Sequence, residues 1–216
     1  ARKPVVGDTG FVEGSGGTHT LARAVSLHIE GRTRDALQEI ETAVEQGADS
    51  AEMHSARGHL QFELEQYDDA ARSYGRVLAA QPQHPSTHYN LGVCLEKLDR
   101  WHEAAEHFEE ALSEDPRRVD AYLGLGISRL HLEQADSALE AFDRYLAGDP
   151  EHATARFGRA VALQLLRRHD EAVELYRQIL ESAPKSEEAL TNLITIGTAR
   201  KDDAMIREYA ERLLGI

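Results

Sequence analysis

Residues 85–118 read PSTHYNLGVCLEKLDRWHEAAEHFEEALSEDPRR, and this stretch decides the fold. It contains two segments with apolar residues at helical spacing, 86–98 and 103–114. A short turn separates the two segments, and Asp115-Pro116 ends the second, because proline lacks an amide donor and restricts the residue before it. The stretch therefore predicts one hairpin of two antiparallel helices.

The pattern of this stretch recurs every 34 residues along the chain, without an insertion through the first five copies. Position 8 is always small, position 20 is always alanine, position 24 is large and mostly aromatic, and position 32 is proline in four copies. The three helical columns are Ala24, Gly58, Gly92, Gly126 and Ala160; Ala36, Ala70, Ala104, Ala138 and Ala172; and Ile40, Tyr74, Phe108, Phe142 and Tyr176. A fixed period of this length indicates an array of stacked helical repeats.

Together these columns resemble the tetratricopeptide repeat (TPR), and the resemblance covers residues 17–216. It implies an all-α, right-handed superhelical solenoid of antiparallel helix pairs, a fold whose usual task is to hold other proteins. The six repeats would span 17–50, 51–84, 85–118, 119–152, 153–186 and 187–216. Residues 1–16 contain four glycines and a proline, and predict an extended N-terminal segment or linker, anchored by Val5, Val6, Phe11 and Val12.

Two features of the repeats carry further expectations. Position 15, in the turn, is glycine only at Gly31, whereas Glu65, Asp99, Glu133 and Arg167 occupy it in the next four copies. If this residue is left-handed, each non-glycine copy carries a strain of about 1 kcal/mol. The sixth copy has Ile206 and Ala210 at positions 20 and 24 and ends in apolar residues 213–216, so we expect an uncapped apolar end.

The charge balance excludes several classes of partner. The chain has 24 basic and 38 acidic residues, and its net charge of −14 opposes binding to nucleic acid or to an anionic membrane. Cys94 is the only cysteine, and its place in a first helix predicts a small buried residue. No stretch is apolar enough to span a bilayer. We therefore expect a soluble protein, of the cytoplasm rather than the periplasm, and the Ala, Arg and Glu bias suggests a bacterial source.

The resemblance implies that positions 2, 5, 6, 9, 12 and 13 of the first helices line a concave surface. Positions 5 and 9 are one helical turn apart and are apolar in repeats three to five, which predicts a continuous strip. Its residues are Tyr89, Val93, Leu123, Ile127, Phe157 and Val161, extended by Leu130 and Phe62. An extended peptide or an amphipathic helix would fit such a strip. Alternatively, neighbouring first helices bury the strip or the N-terminal segment covers it.

Two polar residues join the predicted partner site. Asn90 at position 6 could hydrogen-bond a ligand backbone, and it matches the middle position of the family's carboxylate clamp for chaperone C-termini. The flanking helices lack the other clamp residues, so chaperone-tail binding is disfavoured. Arg156 would meet an acidic residue of the ligand, or it would pair within the chain with Asp120, Glu151 or Asp170.

The histidines and glycines do not predict an active site. In HEAAEH, residues 102–107, the second histidine falls five residues after the first, whereas zinc-protease helices require four. His84 and His88 are four apart, but Pro85 lies between them at a helix boundary. The segment GFVEGSGGT lacks the lysine of a phosphate loop. We expect no enzyme, no cofactor and no metal site.

Three functions remain open at this point. The first is a noncatalytic adaptor or scaffold that binds a protein or peptide ligand on its concave face. The second is a self-assembling homo-oligomeric scaffold that uses its N-terminal segment or its C-terminal end. The third is the recruiting or regulatory array of a larger enzyme.

Overall fold

The computed structural model describes residues 15–215, and it describes side chains from residue 17. Within this range the structure is all-α, with no strand. The helices are α1 (Ser15–Ile29), α2 (Thr33–Glu45), α3 (Ala51–Glu63), α4 (Tyr67–Ala80), α5 (Pro85–Lys97), α6 (Trp101–Glu114), α7 (Val119–His131), α8 (Ala135–Leu146), α9 (Ala153–Leu165), α10 (His169–Ser182), α11 (Glu187–Arg200) and α12 (Asp203–Leu214). They form an all-α helical repeat array in which each repeat is a pair of consecutive helices.

The chain divides into two compact units, residues 1–87 and 88–216, with the boundary in the first turn of α5. The anchors predicted for the N-terminal segment, Val5, Val6, Phe11 and Val12, lie outside the described residues. Among the described helices, none has the length and apolar character needed to cross a membrane.

The turn between the two helices of each pair has the same conformation throughout. Position 15 is left-handed, with φ between 56° and 60° at Glu65, Asp99, Glu133, Arg167 and Lys201, and 77° at Gly31. The next amide reaches back five residues, as in Gln134 N to Arg129 O at 2.8 Å, and position 15 itself reaches back three. This is the Schellman arrangement, which satisfies carbonyl groups left open at a helix end. The left-handed turn expected from the sequence is thus confirmed, and Lys201 adds a sixth copy.

An arginine fixes the start of the second helix in three of the hairpins. Arg32, Arg100 and Arg168 are N-cap residues, and each bonds an acidic side chain three residues later. The acceptors are Asp35 at 2.7 Å, Glu103 at 2.8 Å and Glu171 at 2.7 Å. The bonded guanidinium lowers the pKa of Glu103 and of Glu171. Carboxylates in a first turn also complement the positive end of the helix dipole.

The first unit has a small core between its two helix pairs. Ala36 and Ala70 are fully buried, as the position-20 column predicts. The ring of Tyr74 lies against Gly58, where an added Cβ would stand 3.0 Å from Cε1. Small residues at positions 8 and 20 therefore let the paired helices approach closely.

In the second unit, each buried phenylalanine ring lies between two glycines. A Cβ added to Gly92 or Gly124 would come within 2.9 Å or 2.4 Å of the Phe108 ring. The Phe142 ring has the same neighbours one repeat later, Gly126 at 2.7 Å and Gly158 at 2.4 Å. The position-8 glycine of each pair was predicted from the sequence. The position-6 glycine, which belongs to the next repeat, was not.

The last helix pair differs from the expectation in two ways. Met205 and Tyr209 are buried, each one residue before the position-20 and position-24 columns at Ile206 and Ala210, and Arg177 Nε donates to the Tyr209 hydroxyl at 2.9 Å. The second difference concerns the exposed face of α12, which is polar rather than apolar. Its exposed charged residues are Asp203, Arg207, Glu208, Glu211 and Arg212. Leu214 is its one large, mostly exposed hydrophobic side chain within the described range.

Candidate partner-binding site

An apolar pocket of 330 Å³ lies between α7 and α9 in the second unit. Its lining residues are Ile127, Leu130, His131, Phe142, Thr154, Phe157, Gly158 and Val161. Four of them, Ile127, Leu130, Phe157 and Val161, belong to the strip predicted from the sequence. The structure therefore gathers four members of that strip, from repeats four and five, into one concavity.

The pocket is built on the glycine contact described above. Because Gly158 has no side chain, α9 approaches the Phe142 ring closely and the ring lines the pocket. Phe157 packs edge-on against Tyr176, with ring centroids 5.8 Å apart. Phe142 and Tyr176 are fully buried, so the pocket rests on the rigid part of the core.

The lining side chains predicted to be exposed are half-buried. Ile127, Leu130, Phe157 and Val161 all pack in part against the core of the second unit. Neighbouring helices thus cover part of each side chain, as one of the alternatives given by the sequence allowed, and leave the rest accessible. What stays open to solvent is the concavity between α7 and α9.

The other apolar members of the predicted strip do not line this pocket. Tyr89, Val93 and Leu123 are each half-buried. The Tyr89 ring lies 5.9 Å from that of Phe108, and the guanidinium of Arg118 lies 5.4 Å from its centroid. Burial, followed by the nearby Asp120 carboxylate, raises the pKa of the Tyr89 hydroxyl. Asn90 is also half-buried on α5, and Phe62 packs edge-on against Tyr67 at 5.3 Å in the first unit.

Arg156 lies away from the apolar pocket. Its guanidinium donates to Glu151 at 2.9 Å and to Gln178 at 3.4 Å. It lines a second pocket of 370 Å³ between α8, α9 and α10, together with Arg159, which bonds Asp143 at 2.6 Å. Of the two alternatives given by the sequence, the structure shows the intrachain ion pair with Glu151.

The polar rim of the pocket was not predicted from the sequence. Thr154 and His131 are exposed lining residues at positions 2 and 13. The His131 ring stacks on Trp101, with centroids 3.7 Å apart and an angle of 2° between the planes. Both positions are among those that face the ligand in the family, so the repeat position of these residues could have identified them. They were not predicted because the strip was chosen from apolar side chains.

The histidines considered from the sequence have structural contacts. His84 Nδ1 accepts from the Thr87 amide at 3.2 Å, which caps the start of α5. In HEAAEH, His102 lies 3.3 Å from Glu106, whereas His107 Nδ1 turns to His88 Nδ1 at 3.0 Å. The two ends of the motif therefore face different neighbours.

Paired helices, a repeated Schellman turn and a concave pocket on first helices define a helical-hairpin repeat protein. The chain belongs to the tetratricopeptide repeat family, whose model matches residues 55–118, 95–151 and 123–187. These matches together span more than half of the chain. No curated protein matches it.

Solved structures show the same fold at low sequence identity. A tetratricopeptide repeat protein from Parabacteroides merdae has 16% identity and a TM-score of 0.75, over 94% of this chain and 80% of that one. MamA from Desulfovibrio magneticus has 20% identity and a TM-score of 0.73, over 81% and 99%. YrrB, described as a TPR protein with an unusual peptide-binding site, has 20% identity and a TM-score of 0.72, over 82% and 91%.

Proposed function

We propose that this protein is a noncatalytic interaction adaptor that binds an extended peptide or an amphipathic helix through the pocket between α7 and α9. The observation that carries the proposal is the 330 Å³ apolar concavity on the first helices. Ligand pockets have volumes of about 300–1,000 Å³, and this one lies at the lower end of that range, which suits a single anchoring side chain. The peptide-binding site described for YrrB, which shares the fold, agrees with this use.

The chemistry of the lining supports recognition rather than catalysis. Apolar side chains form most of the surface, and His131 is the one titratable residue of the lining. General acid–base or nucleophilic catalysis needs a second group positioned beside the first. In contrast, an apolar floor with a polar rim suits a buried anchor and hydrogen bonds to a ligand backbone.

The rest of the predicted strip gives the ligand a direction. Tyr89, Val93 and Leu123 occupy the same repeat positions on α5 and α7 as the pocket residues do on α7 and α9. In the proposal, the anchor fills the pocket and the flanking ligand residues extend along these side chains, with Asn90 bonding the ligand backbone. An acidic ligand residue could engage Arg156 only in competition with Glu151. We therefore assign Arg156 the weakest role.

A random-peptide display library, selected on the full chain, tests the proposal. We expect enriched peptides to share an apolar anchor residue. Thr154→Glu should weaken the selected peptides at least about tenfold, or 1.4 kcal/mol, because it places a charge at the pocket rim. Since Thr154 is exposed, the variant should fold normally. Ile127→Glu should have a larger effect, with folding checked by circular dichroism.

Leu165→Glu is the matched control. Like Thr154, Leu165 lies on α9 and is exposed (50%), but it is outside the pocket lining. Peptides that bind wild type and Leu165→Glu equally, but not Thr154→Glu, would support the pocket. Peptides that bind all three equally, or a library without enrichment, would contradict the proposal. If only Leu165→Glu lost binding, the working surface would lie outside the pocket.

A further inference from the structure

A cluster of metal-ligating side chains lies in the first unit, far along the chain from the pocket residues. His28 lies in the last turn of α1, while His59 and Glu63 lie one turn apart on α3. One ligand atom from each lies within 4.8 Å of the other two. We propose that these three residues bind a divalent transition-metal ion of the Zn²⁺ type. This site is independent of the proposed function.

Two of the ligand-to-ligand distances match those of tetrahedral coordination, and all three ligand atoms lie within 4.8 Å of one another. Glu63 Oε2 lies 3.3 Å from His28 Nδ1, and Glu63 Oε1 lies 3.4 Å from His59 Nε2. With Zn–N and Zn–O bonds of about 2.0–2.1 Å, tetrahedral ligand atoms stand about 3.3–3.4 Å apart. The carboxylate lies between the two imidazoles, so small rotations of these side chains would bring one oxygen and two nitrogens around an ion.

The two histidine rings are oriented so that one nitrogen atom of each lies close to the Glu63 carboxylate. Their rings meet edge to face, with centroids 5.8 Å apart and an angle of 79°, rather than stacking. His28 Nδ1 also lies 3.5 Å from the Thr33 hydroxyl, at the first residue of α2. This contact involves the same nitrogen that faces Glu63, and because it is long and therefore weak, a metal ion can replace it.

The donor set selects the class of ion. Two imidazoles and one carboxylate suit Zn²⁺, Co²⁺ or Ni²⁺, whereas Mg²⁺ and Ca²⁺ prefer oxygen ligands. Three protein ligands leave a fourth position for water or for a group from another molecule. The side chains are 31% (His28), 60% (His59) and 36% (Glu63) exposed, so an ion can reach them from solvent.

Metal binding at this site would join the first two repeats. His28 belongs to α1 and the other two ligands to α3, so an ion would replace the present His28–Glu63 contact with coordinate bonds between the two helices. Because the unfolded chain does not hold these residues together, binding should stabilise the folded state. The effect should fall at low pH, since protons compete for the imidazoles.

The chain contains a natural control for this site. His102 and Glu106 on α6 have the same spacing as His59 and Glu63, and their side chains lie 3.3 Å apart. Among the described residues, however, only the His28 cluster brings three such ligands together. A histidine and a carboxylate one turn apart should therefore bind weakly at α6 and tightly at α3.

Isothermal titration of the EDTA-treated full chain with ZnCl₂ tests the proposal. We expect one ion per chain with micromolar or tighter affinity, and Tm should rise by about 5–10 °C at a hundredfold excess over the dissociation constant. His59→Ala and Glu63→Gln should each weaken binding at least tenfold, whereas His102→Ala should change it less than twofold. CoCl₂ should give the visible absorption of tetrahedral Co²⁺, and MgCl₂ should not bind.

Because His59 and Glu63 are exposed, these variants should fold normally, and circular dichroism would check this. His28→Gln provides the decisive comparison, because it leaves the α3 pair intact and removes only the ligand from α1. If Zn²⁺ bound equally to wild type and His28→Gln, the three-residue site would be disproved. The same conclusion would follow from an absence of stoichiometric binding, or from equal losses with His102→Ala.

Discussion

Gly158 lies directly against the ring of Phe142, and a Cβ placed on Gly158 would stand 2.4 Å from Cζ of that ring. Gly124 and Phe108 have the same relationship one repeat earlier, also at 2.4 Å. In each pair, the ring comes from a second helix and the glycine from the first helix of the next repeat. Glycine at this position thus sets how closely neighbouring repeats approach, and at Gly158 it also shapes the candidate binding pocket.

Gly158→Ala should therefore destabilise the protein. Real Cβ atoms do not come within 3.0 Å of such neighbours, so the fully buried Phe142 ring or α9 itself must move. Overpacking of this kind costs about 1–3 kcal/mol. Chemical denaturation followed by circular dichroism measures the loss, and binding of pocket-selected peptides should weaken in parallel.

Gly75→Ala is the matched control for that substitution. Gly75 lies in the interior of α4, is exposed, and has open space where a Cβ would stand. Because alanine is the better helix former, the control should be more stable than wild type by about 0.5–1 kcal/mol. Equal effects of the two substitutions would show that the Phe142 contact does not limit the approach of α9.

At the left-handed turns, substitution of the existing residue by glycine should stabilise the protein. Glu133 has φ 58° and an exposed side chain, so its Cβ carries the strain of this conformation without an evident packing benefit. Glu133→Gly should stabilise the protein by about 0.5–1 kcal/mol, the strain relieved less the extra flexibility of the unfolded chain. The midpoint of urea unfolding measures the change.

Two further variants separate backbone strain from the loss of the carboxylate. Glu133→Ala keeps the Cβ and should leave stability close to that of wild type. Gly31→Ala imposes the same strain where the first repeat avoids it, at φ 77°, and should cost about 1 kcal/mol. A Glu133→Ala variant as stable as Glu133→Gly would attribute the effect to charge instead.

The repeat columns predicted the fold because each column marks a position where the packing of two helices allows only a small or only a large side chain. Ala104 and Ala138 are fully buried where helices cross, and Phe108 and Phe142 fill the space that position 8 leaves. The register of the last pair could not be predicted in this way. Tyr209 is buried one position before the expected column, and a Cβ added to Gly197 on α11 would stand within 3.4 Å of Met205 and Ile206.

Site residues were harder to predict because a site depends on which helices face each other. Periodicity placed Leu123 and Ile127 on one helix face, yet only Ile127 lines the pocket. Arg156 and Phe157 are adjacent in sequence but line different pockets. His28 is separated from its proposed co-ligands by the whole of α2, so no local motif joins them.

Cys94 should be inert toward thiol reagents in the folded protein. Its side chain is fully buried, as the sequence predicted, and burial raises the pKa of the thiol to about 12. Since the thiolate is the reactive form, modification requires opening of the second unit. An aromatic disulfide reagent should label Cys94 rapidly in denaturant and only at the opening rate in buffer. Fast labelling of the native protein would contradict this.

Stability should fall on acidification, and His107 should contribute to the loss. Burial, followed by the nearby His88, lowers the pKa of His107. Below the unfolded value of about 6.5, the unfolded chain therefore binds more protons at this residue than the folded chain. The contribution of His107 is fully present above that pH and is lost as pH falls toward the lowered folded pKa.

His107→Asn keeps a polar group opposite His88 Nδ1 without titrating, so its unfolding free energy should change less between pH 7.5 and 5.5. His102→Asn, at an exposed histidine of the same helix, should keep the wild-type pH dependence. If both variants showed the wild-type dependence, the acid sensitivity would have to arise from other residues.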